Sequence, residues 1–68
     1  MKAISGKRLV RLLEQRGWAL ARVSGSHHIY TRPGSNFRIT VPVHGNKSLK
    51  IGLQRHIMKI VGITEADL

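Results

Sequence analysis

Apolar residues recur at two different spacings along this chain, and the change of spacing divides it into elements. Leu9, Leu12 and Leu13, with Val10 at the edge of the stripe, follow the three-and-four spacing of a helical face. Lys7, Arg8, Arg11, Glu14 and Arg16 fall largely on the other side. Ser5 is placed to cap a helix starting at Gly6, and Gly17 to stop it. From Trp18 the pattern turns extended. A first strand over Trp18–Val23 leaves two inward sets open, Trp18/Leu20 and Ala19/Ala21/Val23. Ser24-Gly25-Ser26 turns the chain into a second strand, His27–Arg32, with alternating faces. Taking Ile29 as the core-facing member sends His27 inward and puts His28 and Tyr30 on the open face. Pro33-Gly34-Ser35-Asn36 is a turn signal. In Phe37–Val41, Phe37, Ile39 and Val41 point inward and Arg38 and Thr40 outward, until Pro42 ends pairing or places the strand at an edge. After a loop over Val43–Lys47, Ser48 is placed to cap a second helix that buries Leu49, Leu53, Ile57 and Ile60, or their neighbours Met58 and Val61. It stops at Gly62. Ile63–Leu68 forms a tail with at most one further turn, capped by Thr64.

The order is helix, three antiparallel strands, helix: an α+β fold in one domain over residues 1–68. Both helices must cover one sheet face to bury their stripes, leaving the other face open. At 68 residues with no cysteine, the chain has a modest core and no disulfide or thiolate–zinc staple. It lacks an apolar run for a membrane span and the apolar region of a signal peptide, so a cytoplasmic protein is expected.

Charge narrows the function. Twelve Lys and Arg against three acids give a net charge of +9, and two of the acids, Glu65 and Asp67, lie in the tail. A surface meant only for solubility mixes both signs. This one predicts a polyanionic partner, chiefly nucleic acid. Trp18, Tyr30 and Phe37 are the only aromatics, and Trp18 and Phe37 read as core, so backbone and shape recognition is favoured over stacked-base readout. Lys7, Arg22, Tyr30, Arg32, Arg38, Lys47 and Lys50 are the expected RNA contacts, because they flank the open face or its loops. His28 is the expected catalytic residue, an imidazole held on a strand amid positive charge. His44 is the possible second acid or base, whereas His27 and His56 read as structural. No metal site and no cofactor are expected: His27 and His28 diverge on a strand, and no spacing gathers ligands.

Gly25-Ser26-His27-His28-Ile29-Tyr30 and Val41-Pro42-Val43-His44-Gly45-Asn46, with Ile4-Ser5-Gly6-Lys7 and Gly17-Trp18 before a strand, make the chain resemble the HicA toxins over nearly its whole length. The resemblance implies a fold like a double-stranded-RNA-binding domain, mRNA cleavage without a metal, and neutralisation by a HicB antitoxin. In the family's Gly-Ser-x-His motif the catalytic histidine is the one two places after Ser, which is His28 here. A toxin reading implies a monomer when free, or a complex with an acidic HicB-like antitoxin over the His28 face and its arginines. The rival readings are a non-catalytic RNA- or DNA-binding module and a domain that binds an acidic protein.

Overall fold

Ser5 opens the first helix as its sequence position suggests. Its backbone is extended and its Oγ accepts the Arg8 N–H at 3.1 Å. The computed structural model describes residues 1–68. Its elements are α1 (Gly6–Gln15), β1 (Ala19–Ser24), β2 (His27–Thr31), β3 (Ile39–Pro42) and α2 (Ile51–Val61), followed by one 3-10 turn, Glu65–Asp67. α1 ends where Gly17 takes φ 86°, a left-handed conformation that costs glycine little. Gly17 N–H then bonds Glu14 C=O and Trp18 N–H bonds Leu13 C=O, the paired closure of a Schellman end. That closure folds Trp18 back into the core, so β1 starts one residue later than its pattern suggests.

The sheet is antiparallel in the order β1-β2-β3. Ile39 and Val41 of β3 are buried beneath the helices, and register carries that face onto β2: Ile39 lies opposite Tyr30, and Val41 opposite His28. Opposed residues in an antiparallel pair share a face. The expected alternation of β2 is therefore reversed. Tyr30, only 2 % exposed, belongs to the core, and His28 is on the same, helix-covered side. Ile29, opposite exposed Thr40, faces the open side, and His27 is exposed rather than inward. The reason lies in the tyrosine. Its ring offers the larger apolar surface, and its hydroxyl escapes the core by reaching Glu14 Oε2 on α1 at 3.5 Å.

One cluster of twelve buried apolar side chains joins both helices to this face; it includes Leu9, Leu12 and Leu13 of α1, Tyr30, Ile39 and Val41 of the sheet, and Ile57 and Met58 of α2. Phe37, expected in it, is 60 % exposed. The turn after β2 runs through Asn36, and Phe37 N–H bonds back to Ser35 Oγ, so Phe37 and Arg38 precede β3 instead of lying in it. β1 is an edge strand with every residue exposed, and Leu20 and Val23 stay uncovered.

α2 also begins later than expected. Ser48 pairs with Ser5 in an isolated bridge and Leu49 N–H bonds Ile4 C=O, which holds this stretch extended until Lys50. Gln54, a polar residue on the apolar stripe, is wholly buried. Its Oε1 accepts Ile4 N–H at 2.9 Å and its Nε2 donates to Lys2 C=O at 2.6 Å, so α2 secures the residues ahead of α1. Gly62 closes α2 at φ 77°, and Thr64 caps the final turn with Asp67 in reciprocal bonding.

Candidate active site

His28 is fixed from three directions. On one side, Ser24 pairs with His27 across the two-residue turn Gly25-Ser26, and Gly25 takes φ 59°, as the first central position of a type II′ hairpin turn requires. On the other, Ser26 C=O accepts Val43 N–H at 2.8 Å, tying the turn to the chain beyond β3. Within the sheet, exposed Val23 and buried Val41 are the cross-strand neighbours of His28.

The third direction is α1. Gly6 lies so close to Pro42, the partner of His27, that a Cβ there would strike the Pro42 carbonyl oxygen. At its other end the helix meets Tyr30 through Glu14. α1 therefore runs along the stretch from His27 to Tyr30. Lys7, Val10 and Glu14 recur three and four residues apart along one side of the helix, about two turns, and Glu14 reaches Tyr30 from that side. His28 is half-buried on the sheet face that carries Tyr30, Ile39 and Val41, and neither ring nitrogen forms a hydrogen bond within the chain. A histidine held by its backbone with both nitrogens uncommitted is free to exchange a proton with a ligand.

The other expected residues divide into separate groups. Exposed Lys7 shares the α1 flank with Glu14. Arg22 lies opposite Ile29 on the open face, just past an irregularity between Leu20 and Arg22. Arg32 borders the β2–β3 loop. Arg38 shares a depression of about 220 Å³ with His56, which is exposed. His44, Lys47 and Lys50 gather around another of about 320 Å³, floored by Leu49 and Leu53. His28 lines none of these depressions, and His44 lines only the one it shares with Lys47 and Lys50. Tyr30 is withdrawn from the RNA contacts, since a buried phenol bonded to Glu14 has no surface to offer. Burial, and then the facing Glu14 carboxylate, push its hydroxyl above the usual tyrosine range.

All three acids are occupied. Glu14 holds Tyr30, Glu65 lies 3.2 Å from the N-terminal amine, and Asp67 lies 2.9 Å from Arg16. Hydrogen bonds from Thr64, the backbone N–H foremost, and the Arg16 charge hold Asp67 below the usual carboxylate range. The exposed field is thus nearly all positive. No three His, Asp or Glu side chains gather into a set that could hold a metal ion, and no helix is long and apolar enough to cross a membrane. Sequence reasoning missed Gln54 and the exposed Phe37. The signal for Gln54 was its spacing three and four residues ahead of Ile57 and Met58.

Fold and charge together define a strongly basic α+β protein with the helix–three-strand–helix layout of a double-stranded-RNA-binding domain. The family model described as HicA toxin of bacterial toxin-antitoxin matches residues 6–63, and the chain belongs to that family. It is thereby the toxin side of a toxin–antitoxin pair, with an antitoxin as partner. No curated protein matches the chain.

Proposed function

We propose that the chain is an endoribonuclease that cleaves mRNA without a metal ion, with His28 as its proton-transfer residue, and that an acidic, HicB-like antitoxin neutralises it. RNA carries its own nucleophile. His28 takes the proton of a ribose 2′-hydroxyl, the oxygen attacks the adjoining phosphorus, and the bond to the 5′ oxygen breaks. A 2′,3′-cyclic phosphate remains on one fragment, and the departing oxygen takes a proton to become a hydroxyl. Positive charge around the phosphate favours the pentacoordinate arrangement passed on the way. Lys7, exposed on the same side of α1 as Glu14, is the cation assigned to that role. His44, beside Lys47 and Lys50, is assigned to phosphate binding. The observation that carries this reading is the position of His28 in the Gly-Ser-x-His motif: fixed by hairpin, sheet and helix, with both ring nitrogens unused.

The test compares purified wild type with His28→Ala on a long unstructured RNA. A general acid or base supplies about 10²–10⁴-fold, so the variant's cleavage rate should fall at least about a hundredfold. Its thermal midpoint should fall by no more than about 4–8 °C, leaving it folded at the assay temperature, because truncating a half-buried ring costs about 1 kcal/mol. Its RNA binding and its complex with the antitoxin should both persist, since these rest on many charges. Undiminished cutting by His28→Ala refutes the catalytic role. Cutting by wild type that stops with EDTA and returns with a divalent ion refutes the metal-free step. RNA binding without cutting by wild type would make the chain a non-catalytic module.

A further inference from the structure

The loop between β2 and β3 carries chemistry that the His28 site does not use. Ser35 N–H bonds Arg32 C=O at 3.1 Å, closing a turn with Pro33 and Gly34 at its centre. Gly34 takes φ 83°, as the second central position of a type II turn requires. Ser35 Oγ then accepts Phe37 N–H at 3.2 Å. These two bonds hold the loop in one shape, and that shape keeps Phe37 out of the core. Leaving such a ring in water forgoes a large apolar gain, although the core beside it is already closed by Trp18 and Ile39. Stability gives no reason for the arrangement.

Phe37 stands at a cavity of about 510 Å³ whose walls include Trp18, Arg32, Ser35, Asn36 and Ile60. That volume falls within the range of small-molecule sites, about 300–1,000 Å³. Trp18 is only 4 % exposed, and its Nε1–H is the one buried side-chain polar atom in the chain without a hydrogen-bond partner. Asn36 offers both a donor and an acceptor. Exposed Arg32 and Arg38 bracket the loop with positive charge.

We infer that this loop is a nucleobase subsite, in which one unpaired base of an RNA strand stacks on Phe37, meets Asn36 with its edge, and leaves its phosphate to Arg32. The ligand class rests on the ribonuclease reading, but the site stands apart from His28. Unpaired RNA is recognised by such stacking together with hydrogen bonds to base edges. Two flanking arginines favour an anionic strand over an apolar peptide. Arg32, which takes the phosphate, lies four residues beyond His28 and one past the end of β2, about 13 Å at ~3.3 Å per residue. That is about four nucleotides of a stacked strand at ~3.4 Å each. Base preference should therefore appear a few nucleotides from the cut rather than at it.

The test uses a labelled, unstructured 2′-O-methyl oligonucleotide, which has no free hydroxyl to attack and stays intact, and an abasic strand of the same length. Anisotropy titrations compare wild type with Phe37→Ala, Phe37→Leu and Phe37→Trp, each checked for folding by circular dichroism. Phe37→Ala and Phe37→Leu should weaken binding of the base-bearing strand about 5- to 150-fold, the equivalent of ~1–3 kcal/mol of stacking. Phe37→Trp should bind as wild type does. The abasic strand should bind wild type and Phe37→Ala alike. Equal affinity of wild type and Phe37→Ala for the base-bearing strand overturns the subsite and leaves the His28 reading intact. Failure of wild type to bind either strand overturns both. If Phe37→Ala keeps its RNA affinity but loses its hold on the antitoxin, the ring belongs to a protein interface and the subsite is overturned.

Discussion

The close approach of Gly6 to Pro42 should reverse the sign of an ordinary substitution. Replacing glycine by alanine within a helix normally stabilises by up to about 1 kcal/mol. At Gly6 the added carbon would strike the Pro42 carbonyl oxygen, with Pro42 C at 3.1 Å and Val43 Cα at 3.2 Å. All three are main-chain atoms, and none can rotate away. Overpacking of this kind costs about 1–3 kcal/mol, so Gly6→Ala should be net destabilising by about 1–2 kcal/mol. At ~4–8 °C per kcal/mol for a domain of this size, its thermal midpoint should fall by roughly 4–16 °C. Gly52 in α2 is the internal control, because a Cβ there meets nothing within 4 Å. Gly52→Ala should raise the midpoint by a few degrees. Differential scanning calorimetry on the two variants gives the comparison directly. Since Gly6 packs on Pro42, the cross-strand partner of His27 next to His28, RNA cutting per folded molecule should drop in Gly6→Ala and hold in Gly52→Ala. A midpoint that rises in both variants would refute the claimed contact between α1 and the end of β3.

Gln54→Leu keeps the apolar packing of α2 but strands the Ile4 N–H. That should cost about 1–3 kcal/mol, a large share of the roughly 3–10 kcal/mol expected for a domain of this length. Urea midpoints should fall accordingly, and hydrogen exchange at the Ile4 amide should accelerate well beyond its neighbours; an unchanged Ile4 amide would contradict the bond to Gln54. Tyr30 sets an alkaline limit. Its folded pKa lies above the unfolded value of 10.0, so its contribution to stability is whole below that value and is lost as pH climbs through the folded one. Denaturant midpoints of wild type should therefore decline more steeply above pH 10 than those of Tyr30→Phe, and parallel curves would refute the account.

The helix ends and the order of elements were legible because they depend on neighbouring residues. Ser5, Gly17, Gly62 and Thr64 each act within a turn of their own position. The phase of β2 was not, because His-His-Ile-Tyr offers an apolar candidate on each face. Only β3, with Ile39 and Val41 buried, decides between them, and it does so through a register no local pattern displays. His28 was singled out by its motif while its face was misassigned: the imidazole lies on the helix-covered side of the sheet, opposite Val41, instead of on the open one. Phe37 was misplaced because a four-residue turn signal was read as ending where it continued. Ser48 was read as a helix cap, but its partner Ser5 lies far back along the chain.

The bond between Ile4 and Gln54 spans fifty residues of sequence, and that span sets a schedule. During synthesis at ~5–20 residues per second, Gln54 joins the chain about 3–10 seconds after Ile4. Until then the segment ahead of α1 lacks its buried acceptor, and the Ile57 and Met58 part of the core does not yet exist. The hairpin bearing His28 can form early, whereas α1 becomes anchored only once α2 has been made. A growing chain therefore carries the histidine long before it carries the finished site.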